Sequence, residues 1–203
     1  VVDTYRTLRT NLQFAVVDRP MRSMLITSSI PGEGKTLTSA NLGITFAELG
    51  KRVVLIDGDL RRPMLHNAFG IKRSPGISDC LIKQLPVDSV LNSTSTPNLM
   101  VIPCGTIPPN PAEMIASKRM AEFIAQLQSS FDLVLIDSPP VTLVTDAVLF
   151  SSHVDYVVMV TKFSSTNYRI AKDAIDGLLY AKANILGVIL NGIKTGRGYG
   201  YYY

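Results

Sequence analysis

Short apolar runs alternate with longer amphipathic stretches along the chain. The runs are rich in Val and Ile, and several are apolar at consecutive positions, as in parallel strands that are covered on both faces. They occupy residues 24–27, 53–56, 99–102, 133–136, 156–160 and 185–190. Helical periodicity predicts helices at residues 3–15, 36–49, 112–115, 118–127, 146–151 and 166–181. This alternation predicts an α/β fold with a doubly wound, mostly parallel sheet flanked by helices.

Two segments depart from the alternation. Residues 65–97 are rich in turn formers, and we expect short helices and loops there at the edge of the sheet. Residues 194–203 contain Gly and Tyr without a core pattern, which predicts a flexible tail. The sequence therefore predicts one domain over residues 1–193 and a tail over residues 194–203.

Composition narrows the possible classes of protein. Apolar residues make up 46% of the 203 residues, which excludes a disordered chain. No apolar stretch approaches the roughly 18 residues of a membrane span. The net charge of +4 is scattered, so it suits phosphate binding and does not indicate nucleic acid. Cys80 and Cys104 have no motif spacing, and we expect ordinary buried thiols in a reducing cytoplasm.

A glycine-rich loop follows the first predicted strand and precedes a helix. It reads Ser29-Ile30-Pro31-Gly32-Glu33-Gly34-Lys35-Thr36, a P-loop with Ser in place of the first Gly. The two glycines allow backbone N–H groups to face an anion, and the helix N-terminus adds partial positive charge. Lys35 would lie between the β- and γ-phosphates, and the Thr36 hydroxyl would bind Mg²⁺. The alternative, a simple glycine-rich turn, does not explain why Lys and Thr follow in order.

Acidic residues follow two of the predicted strands. Asp57 and Asp59 come after one strand and Asp137 after another, and the carboxyl ends of parallel strands meet at one sheet edge. We therefore expect them beside the P-loop, with Asp137 holding Mg²⁺. Capping of a loop or helix is the alternative for a single Asp, and a structural bond to Arg61 or Arg62 is the alternative for Asp59.

These motifs resemble two families. The P-loop and the runs ending at Asp59 and Asn191 resemble the partition and division-site ATPases, which carry a second Lys where this chain has Ile30. Over essentially its whole length the chain instead resembles the bacterial tyrosine kinases of capsule and exopolysaccharide synthesis. That resemblance rests on the P-loop, on Asp57-Gly58-Asp59-Leu60-Arg61, on Pro108-Pro109-Asn110-Pro111-Ala112-Glu113, on Asp137-Ser138-Pro139-Pro140 and on a C-terminal tyrosine cluster.

The resemblance implies an ATP- and Mg²⁺-dependent protein-tyrosine kinase. Asp57 would receive or orient the tyrosine proton, and Asp59 would organise Mg²⁺ and its waters. The implied catalytic residues are Lys35, Asp57, Asp59 and Asp137, and the implied metal site is Thr36, Asp59 and Asp137. The implied ATP-binding residues are Pro31, Gly32, Glu33, Gly34, Lys35, Thr36, Leu37 and Asn191, with Asn191 at the adenine.

The tail supplies the implied phosphoacceptors. Half of the eight tyrosines, Tyr199, Tyr201, Tyr202 and Tyr203, lie in the last five residues. The resemblance implies autophosphorylation in trans within a ring-shaped homo-oligomer, and an inert aromatic end is the alternative. Asp3, Arg6 and Arg9 resemble the family's Glu-x-x-Arg-x-x-Arg oligomerisation motif, with Asp in place of Glu. A solvated helix face is the alternative for these two arginines.

The resemblance also implies partners and location. A membrane-embedded activator, separate or fused upstream, would hold the domain at the inner face of the cell membrane, in the cytoplasm. Other protein-tyrosine substrates are compatible with this activity. Two competing functions remain open from the residues: a switch ATPase that controls assembly without phosphorylating protein, and a module that uses ATP only as structural glue.

Overall fold

The computed structural model describes residues 2–16 and 20–193. Its helices are α1 Val2–Ala15, α2 Lys35–Ala47, α3 Leu65–Phe69, α4 Ile77–Lys83, α5 Pro111–Ile115, α6 Lys118–Ser130, α7 Asp146–Ser151 and α8 Tyr168–Tyr180. Its strands are β1 Ser23–Ser28, β2 Val53–Asp57, β3 Asn92–Ser93, β4 Leu99–Ile102, β5 Leu133–Asp137, β6 Tyr156–Lys162 and β7 Ile185–Asn191. The predicted tail, residues 194–203, lies outside the described residues.

One seven-stranded sheet runs in the order β3-β4-β2-β5-β1-β6-β7. The strands pair in parallel except β3, which is antiparallel to β4. The chain order reverses around β1, so β1 lies between β5 and β6 in the interior of the sheet. This arrangement confirms the predicted α/β fold and places the carboxyl ends of β1, β2 and β5 side by side.

Hydrophobic packing covers both faces of the sheet. Every residue of β1, β2 and β5 is buried, and successive side chains enter two separate core clusters. Leu25 and Ile56 belong to one cluster, whereas Ile26 and Leu55 belong to the other. Because both faces are buried, these strands are apolar at consecutive positions, as the sequence pattern predicted.

Local hydrogen bonds set the helix ends where the structure differs from prediction. Helix α8 begins at Tyr168 rather than at Thr166, because the Asn167 side chain accepts a hydrogen bond from the Arg169 N–H. Helix α2 begins at Lys35, directly after Gly34 in the left-handed region. The two-residue strand β3 was not predicted, because so short an edge strand leaves no periodic pattern.

Helix α1 packs on α2 of the same chain. Leu12 is buried in the interface, and the Arg6 guanidinium lies 3.1 Å from the Glu48 carboxylate. Arg9 Nη1 donates a hydrogen bond of 2.7 Å to the Thr45 carbonyl. The side chains predicted at an oligomer interface thus bind within one copy, and only Asp3, which also faces Arg6, is almost fully exposed. Contact of this helix with a second copy stays a prediction.

The two cysteines are buried free thiols, as expected. Within residues 2–16 and 20–193, none of the helices combines the length and the apolar character needed to cross a bilayer.

Candidate phosphoryl-transfer site

The glycine-rich loop joins the end of β1 to the start of α2. Gly32 and Gly34 have φ angles of +82° and +94°, a region that L side chains rarely adopt. A Cβ built on Gly34 would also lie 2.2 Å from Asn191 Nδ2. The positive φ therefore favours glycine at position 34, and any larger residue would also displace the Asn191 amide from the Glu33 carbonyl. Ser29, in place of the usual first glycine, is not among the described non-glycine residues with positive φ, so its side chain is tolerated.

Glu33 points back into the loop and is buried. Its carboxylate accepts a 2.9 Å hydrogen bond from Ser29 Oγ, one of 2.8 Å from the Ile30 N–H and a third from the Thr166 hydroxyl. Its main-chain carbonyl accepts 2.9 Å from Asn191 Nδ2. The phosphate loop is thereby tied to the segments that follow β6 and end β7. No local pattern could predict this network, because Thr166 lies 133 residues from Glu33 in the chain.

Asp59 lies beside the P-loop lysine. Its Oδ2 is 3.9 Å from Lys35 Nζ, and both side chains are largely buried. Its Oδ1 accepts hydrogen bonds from the backbone N–H groups of Arg61 and Arg62. One oxygen thus holds the turn after β2, as the structural alternative predicted, and the other faces the lysine. The role of Asp59 toward Mg²⁺ stays a prediction.

The Arg61 side chain forms a bidentate pair that the sequence did not reveal. Its Nε and Nη2 donate hydrogen bonds of 2.8 and 2.9 Å to the two oxygens of Asp146, which is fully buried at the start of α7. A bidentate pair of this kind fixes orientation as well as charge. It fastens the turn that carries Asp59 to α7.

Asp57 is a buried carboxylate at the carboxyl end of β2. Its Cα is the register partner of Asp137 on the neighbouring β5. Burial, reinforced by the negative charges of Asp137 and Asp59, raises the pKa of Asp57 to about 7, although the Leu65 N–H opposes this shift. Oδ2 accepts that N–H at 2.9 Å, whereas Oδ1 has no hydrogen-bond partner among the described residues. A carboxyl group whose pKa is near neutral pH can both accept and release a proton at that pH.

Asp137 ends β5 directly below the start of α2. Ser39 Oγ donates a 3.2 Å hydrogen bond to its Oδ1, and the Thr36 hydroxyl lies near enough to its carboxylate to favour the charged form. Burial raises the pKa of Asp137 to about 6, against the opposing effects of the Lys35 charge and of these two hydroxyls. Asp137 is therefore held against the residue whose hydroxyl binds Mg²⁺ in P-loop proteins.

The residues present fit a magnesium ion. Oδ1 of Asp57 is a buried oxygen in need of a partner, and Thr36 and Asp137 supply a hydroxyl and a carboxylate at the mouth of the loop. No group of three or more His, Cys, Asp or Glu side chains in the described parts of the chain has the geometry of a protein metal cage. Mg²⁺ at a nucleotide does not need one, because phosphates and waters supply most of its ligands.

A cleft of about 720 Å³ runs from the P-loop along α2 to α3. Gly32, Gly34, Lys35 and Thr36 form its polar end. Leu37 and Met64 line the rest, and both are more than half exposed. The cleft can therefore accept a ligand that has a charged group at one end and an apolar group at the other.

Most predicted site residues meet around this cleft and the adjoining strand ends. Of the predicted nucleotide set, Pro31 and Gly32 are exposed at the loop tip, and Asn191 touches the loop through Glu33. Tyr199, Tyr201, Tyr202 and Tyr203 lie outside the described residues. A phosphate cradle, a lysine and carboxylates from two adjacent strand ends define the class of P-loop nucleotide-dependent enzymes.

Comparisons with known proteins place the chain within that class. The sequence family described as an AAA domain matches residues 21–177. Tyrosine-protein kinase YwqD of Bacillus subtilis is 41% identical over 202 residues, which cover 98% of this chain and 85% of that protein. Tyrosine-protein kinase Wzc of Salmonella typhimurium is 36% identical, over 99% of this chain and only 28% of Wzc.

Solved structures agree with the sequence relatives. The chimerical protein CapA2B2 superposes with a TM-score of 0.91 at 35% identity, covering 95% of this chain and 85% of that one. The kinase domain of the Escherichia coli tyrosine kinase ETK gives 0.91 at 32% identity, over 100% and 80%. The septum site-determining protein MinD of Pyrococcus horikoshii, solved with Mg-ADP, is less similar, with 0.73 at 25% identity over 87% and 72%.

The chain belongs to the bacterial tyrosine-protein kinase family. This membership confirms the predicted family, fold and enzyme class, that of a protein-tyrosine kinase. The lower similarity to MinD disfavours the alternative of a division-type switch ATPase. Nucleotide and magnesium binding is a general property of this fold, seen in MinD with Mg-ADP.

Proposed function

We propose that this chain transfers the γ-phosphate of Mg-ATP to tyrosines of its own C-terminal cluster, in trans within a homo-oligomer. The observation that carries the proposal is the position of the P-loop lysine, which lies 3.9 Å from Asp59 after β2 and close enough to Asp137 at the end of β5 to lower its pKa. Kinase membership supports the chemistry, and the tyrosine-rich sequence of residues 194–203 supports the acceptor.

The proposed roles follow from charge and position. The N–H groups of the P-loop and Lys35 bind the β- and γ-phosphates, and Thr36 and Asp137 would hold Mg²⁺, while Asp59 would order its waters. When bound, Mg²⁺ would supply positive charge against the negative charge of the phosphates. Asn191 and Leu37 flank the nucleotide, with Asn191 at the adenine.

Transfer is direct. The phenolic oxygen of the tyrosine forms a bond to the γ-phosphorus while the bond from that phosphorus to the β–γ bridging oxygen breaks. The phenolic proton passes to Asp57, and ADP leaves. A free tyrosine has a pKa of about 10, so a base near neutral pKa is needed to receive its proton. The raised pKa of Asp57, about 7, supports its assignment as this base.

The family resemblance supports a wider setting. We propose that the kinase regulates capsule or exopolysaccharide synthesis and export, assembles as a ring and acts at the inner face of the cell membrane. There it would meet a membrane-embedded activator, either separate or fused upstream. The chimeric character of CapA2B2, whose kinase-like part resembles this chain, is compatible with such a partner.

A mixing experiment tests transfer in trans. One partner is the Lys35→Met chain, which keeps its tail but lacks the phosphate-binding lysine. The other is an active chain that lacks residues 194–203. With γ-labelled ATP, we expect label on the Lys35→Met chain only when both are present. Label on neither chain, while full-length protein labels itself, would show transfer in cis. Absence of label on the full-length protein as well would contradict the proposed function.

A further inference from the structure

Glu33 is the only carboxylate of the phosphate loop, and it lies close to the intended position of a polyanion. Its side chain is buried, and no ion pair joins it to a described lysine or arginine. A carboxylate free to turn toward the triphosphate would repel it. Its hydrogen bonds therefore decide whether the loop is ready to bind an anion.

Three donors hold this carboxylate away from the mouth of the loop. Ser29 Oγ and the Ile30 N–H belong to the loop itself, at 2.9 and 2.8 Å. The third donor, Thr166, comes from the segment between β6 and α8. The orientation of the Thr166 hydroxyl is fixed, because it accepts a 2.9 Å hydrogen bond from the Lys162 N–H and so directs its own proton to Glu33.

Asn191 adds a second attachment to the same residue. Its Nδ2 binds the Glu33 carbonyl at 2.9 Å, and its Oδ1 accepts the Gly192 N–H at 2.8 Å. Glu33 is thus held at two points. Thr166, in the segment after β6, binds its side chain, and Asn191, at the end of β7, binds its backbone carbonyl. The neighbouring Gly34 and Lys35 begin the helix that faces the phosphates. The position of Glu33 therefore sets the position of the phosphate-binding groups.

We propose that Ser29, Glu33 and Thr166 form a brace that holds the P-loop open for the triphosphate, with Thr166 as a positioning residue for ATP affinity. The inference rests on the proposed function, and it extends that function to residues outside the P-loop and the strand-end acids. None of the three brace side chains needs to contact the reacting atoms. Loss of the brace should weaken nucleotide binding and leave the rate of transfer at saturating ATP nearly unchanged.

The first test replaces Thr166 by valine, which removes the hydroxyl and keeps the side-chain shape. Hydrogen bonds to charged groups are among the stronger ones, and loss of part of this bond predicts about a tenfold increase in the Kd for Mg-ADP and in the KM for ATP. We expect kcat to change by less than about twofold, since no reacting group moves. Thr166→Ser should restore both constants.

Thr161→Val is a matched control. Thr161 lies near the end of β6, and its hydroxyl donates to the Ile189 carbonyl at 3.3 Å and does not bond to the loop. We expect unchanged Kd and KM for this variant. Equal effects of Thr161→Val and Thr166→Val, or an unchanged Kd in Thr166→Val, would overturn the brace.

Ser29→Ala gives an independent test that holds even if Thr166→Val folds poorly. It removes another donor to the same carboxylate, so it should also raise the Kd for Mg-ADP. Because both donors act on one group, we expect the double variant to fall well short of the product of the two single effects. Fully multiplicative effects, or no effect of Ser29→Ala, would contradict the proposal. Calorimetric binding of Mg-ADP needs no tyrosine transfer, so failure of the proposed function would not be confused with failure of the brace.

Discussion

Asp57 is buried at the end of β2, next to its register partner Asp137 on β5. Its pKa of about 7 is caused mainly by loss of water and secondarily by the neighbouring negative charges. A residue with this pKa can both accept a proton from tyrosine and release it at neutral pH. Burial raises the pKa of Asp57 and so makes it a suitable base. The same burial destabilises the folded protein when the Asp57 carboxylate is charged.

Replacement of the base tests its chemical role. Asp57→Asn keeps the size of the side chain and removes its capacity to take a proton. General base catalysis contributes about 10²–10⁴-fold, so we expect kcat for tyrosine phosphorylation to fall within that range. Binding of Mg-ADP, measured by calorimetry, should persist.

Asp132→Asn is the matched control, because Asp132 lies before β5 at the opposite edge of the sheet and pairs with Arg52. It should leave kcat unchanged. An Asp57→Asn variant with a kcat near that of the wild type would exclude Asp57 as the base.

The raised pKa of Asp57 also predicts a pH dependence of stability. The unfolded carboxyl ionises near its ordinary pKa of 3.8, whereas the folded one stays protonated up to about 7. Between these values the folded state binds more protons, so the free energy of unfolding falls as pH rises. We expect Asp57→Asn to remove a loss on the order of 2–3 kcal/mol between pH 5 and pH 8.

Urea denaturation of the nucleotide-free protein at these two pH values measures this difference. Asp79 does not titrate between pH 5 and pH 8, because hydrogen bonds from Thr106 and Ser74 hold its pKa well below its usual range. Asp132 does not titrate there either, because Arg52 lowers its pKa to about 2. Asp137 also titrates within this window, with a pKa raised to about 6, so part of the loss should remain in Asp57→Asn. A loss of the same size in the variant as in the wild type would assign the whole effect to another group.

At the scale of elements, close backbone contact fixes the loops on the acidic edge of the sheet. A Cβ built on Gly76, at the start of α4, would lie 2.2 Å from the Pro103 carbonyl oxygen and 2.3 Å from the Gly105 nitrogen. These neighbours are backbone atoms that cannot rotate away. A Cβ built on Gly177, in α8, would meet no neighbouring atom within 4 Å.

The two glycines therefore predict opposite effects of the same substitution. Gly76→Ala should lower the free energy of unfolding by roughly 2–3 kcal/mol, because the added methyl overlaps backbone. Gly177→Ala should raise it by about 0.5–1 kcal/mol, because alanine favours the helix at an open position. Chemical denaturation of both variants measures the pair. If both substitutions raised the free energy of unfolding, the packing around Gly76 would have to relax freely.

Features set by local sequence patterns were predictable, whereas contacts between residues far apart in the chain were not. The strands of the central sheet and the P-loop were predictable, because burial on two faces and glycine spacing are local patterns. The bond from Thr166 to Glu33, the Arg61–Asp146 pair and the contacts of Arg6 and Arg9 with α2 were not. Each joins residues far apart in the chain, and a single polar residue carries no sign of its distant partner.

At the scale of the whole molecule, charge connects catalysis to assembly. Each phosphate added to the tail brings about −1.5 to −2 charges at neutral pH. If tails of neighbouring copies share one ring, their phosphorylation should increase repulsion between copies. Phosphorylation then acts against the arrangement that permits transfer in trans.

Sedimentation velocity before and after incubation with Mg-ATP measures this coupling. We expect the phosphorylated protein to shift toward smaller species, and a chain lacking residues 194–203 to show no such shift. Identical sedimentation of phosphorylated and unphosphorylated protein would separate tail phosphorylation from assembly.

Mass spectrometry of the full chain after incubation with Mg-ATP tests tyrosine transfer at this site most directly. We expect phosphotyrosine within residues 199–203 in the wild type and in Lys172→Met, whose exposed lysine pairs with Asp176 on α8. Lys35→Met should carry none, because the charge that binds the β- and γ-phosphates is gone. Phosphotyrosine at equal levels in Lys35→Met, or its absence from a wild-type chain that binds Mg-ATP, would contradict the assignment.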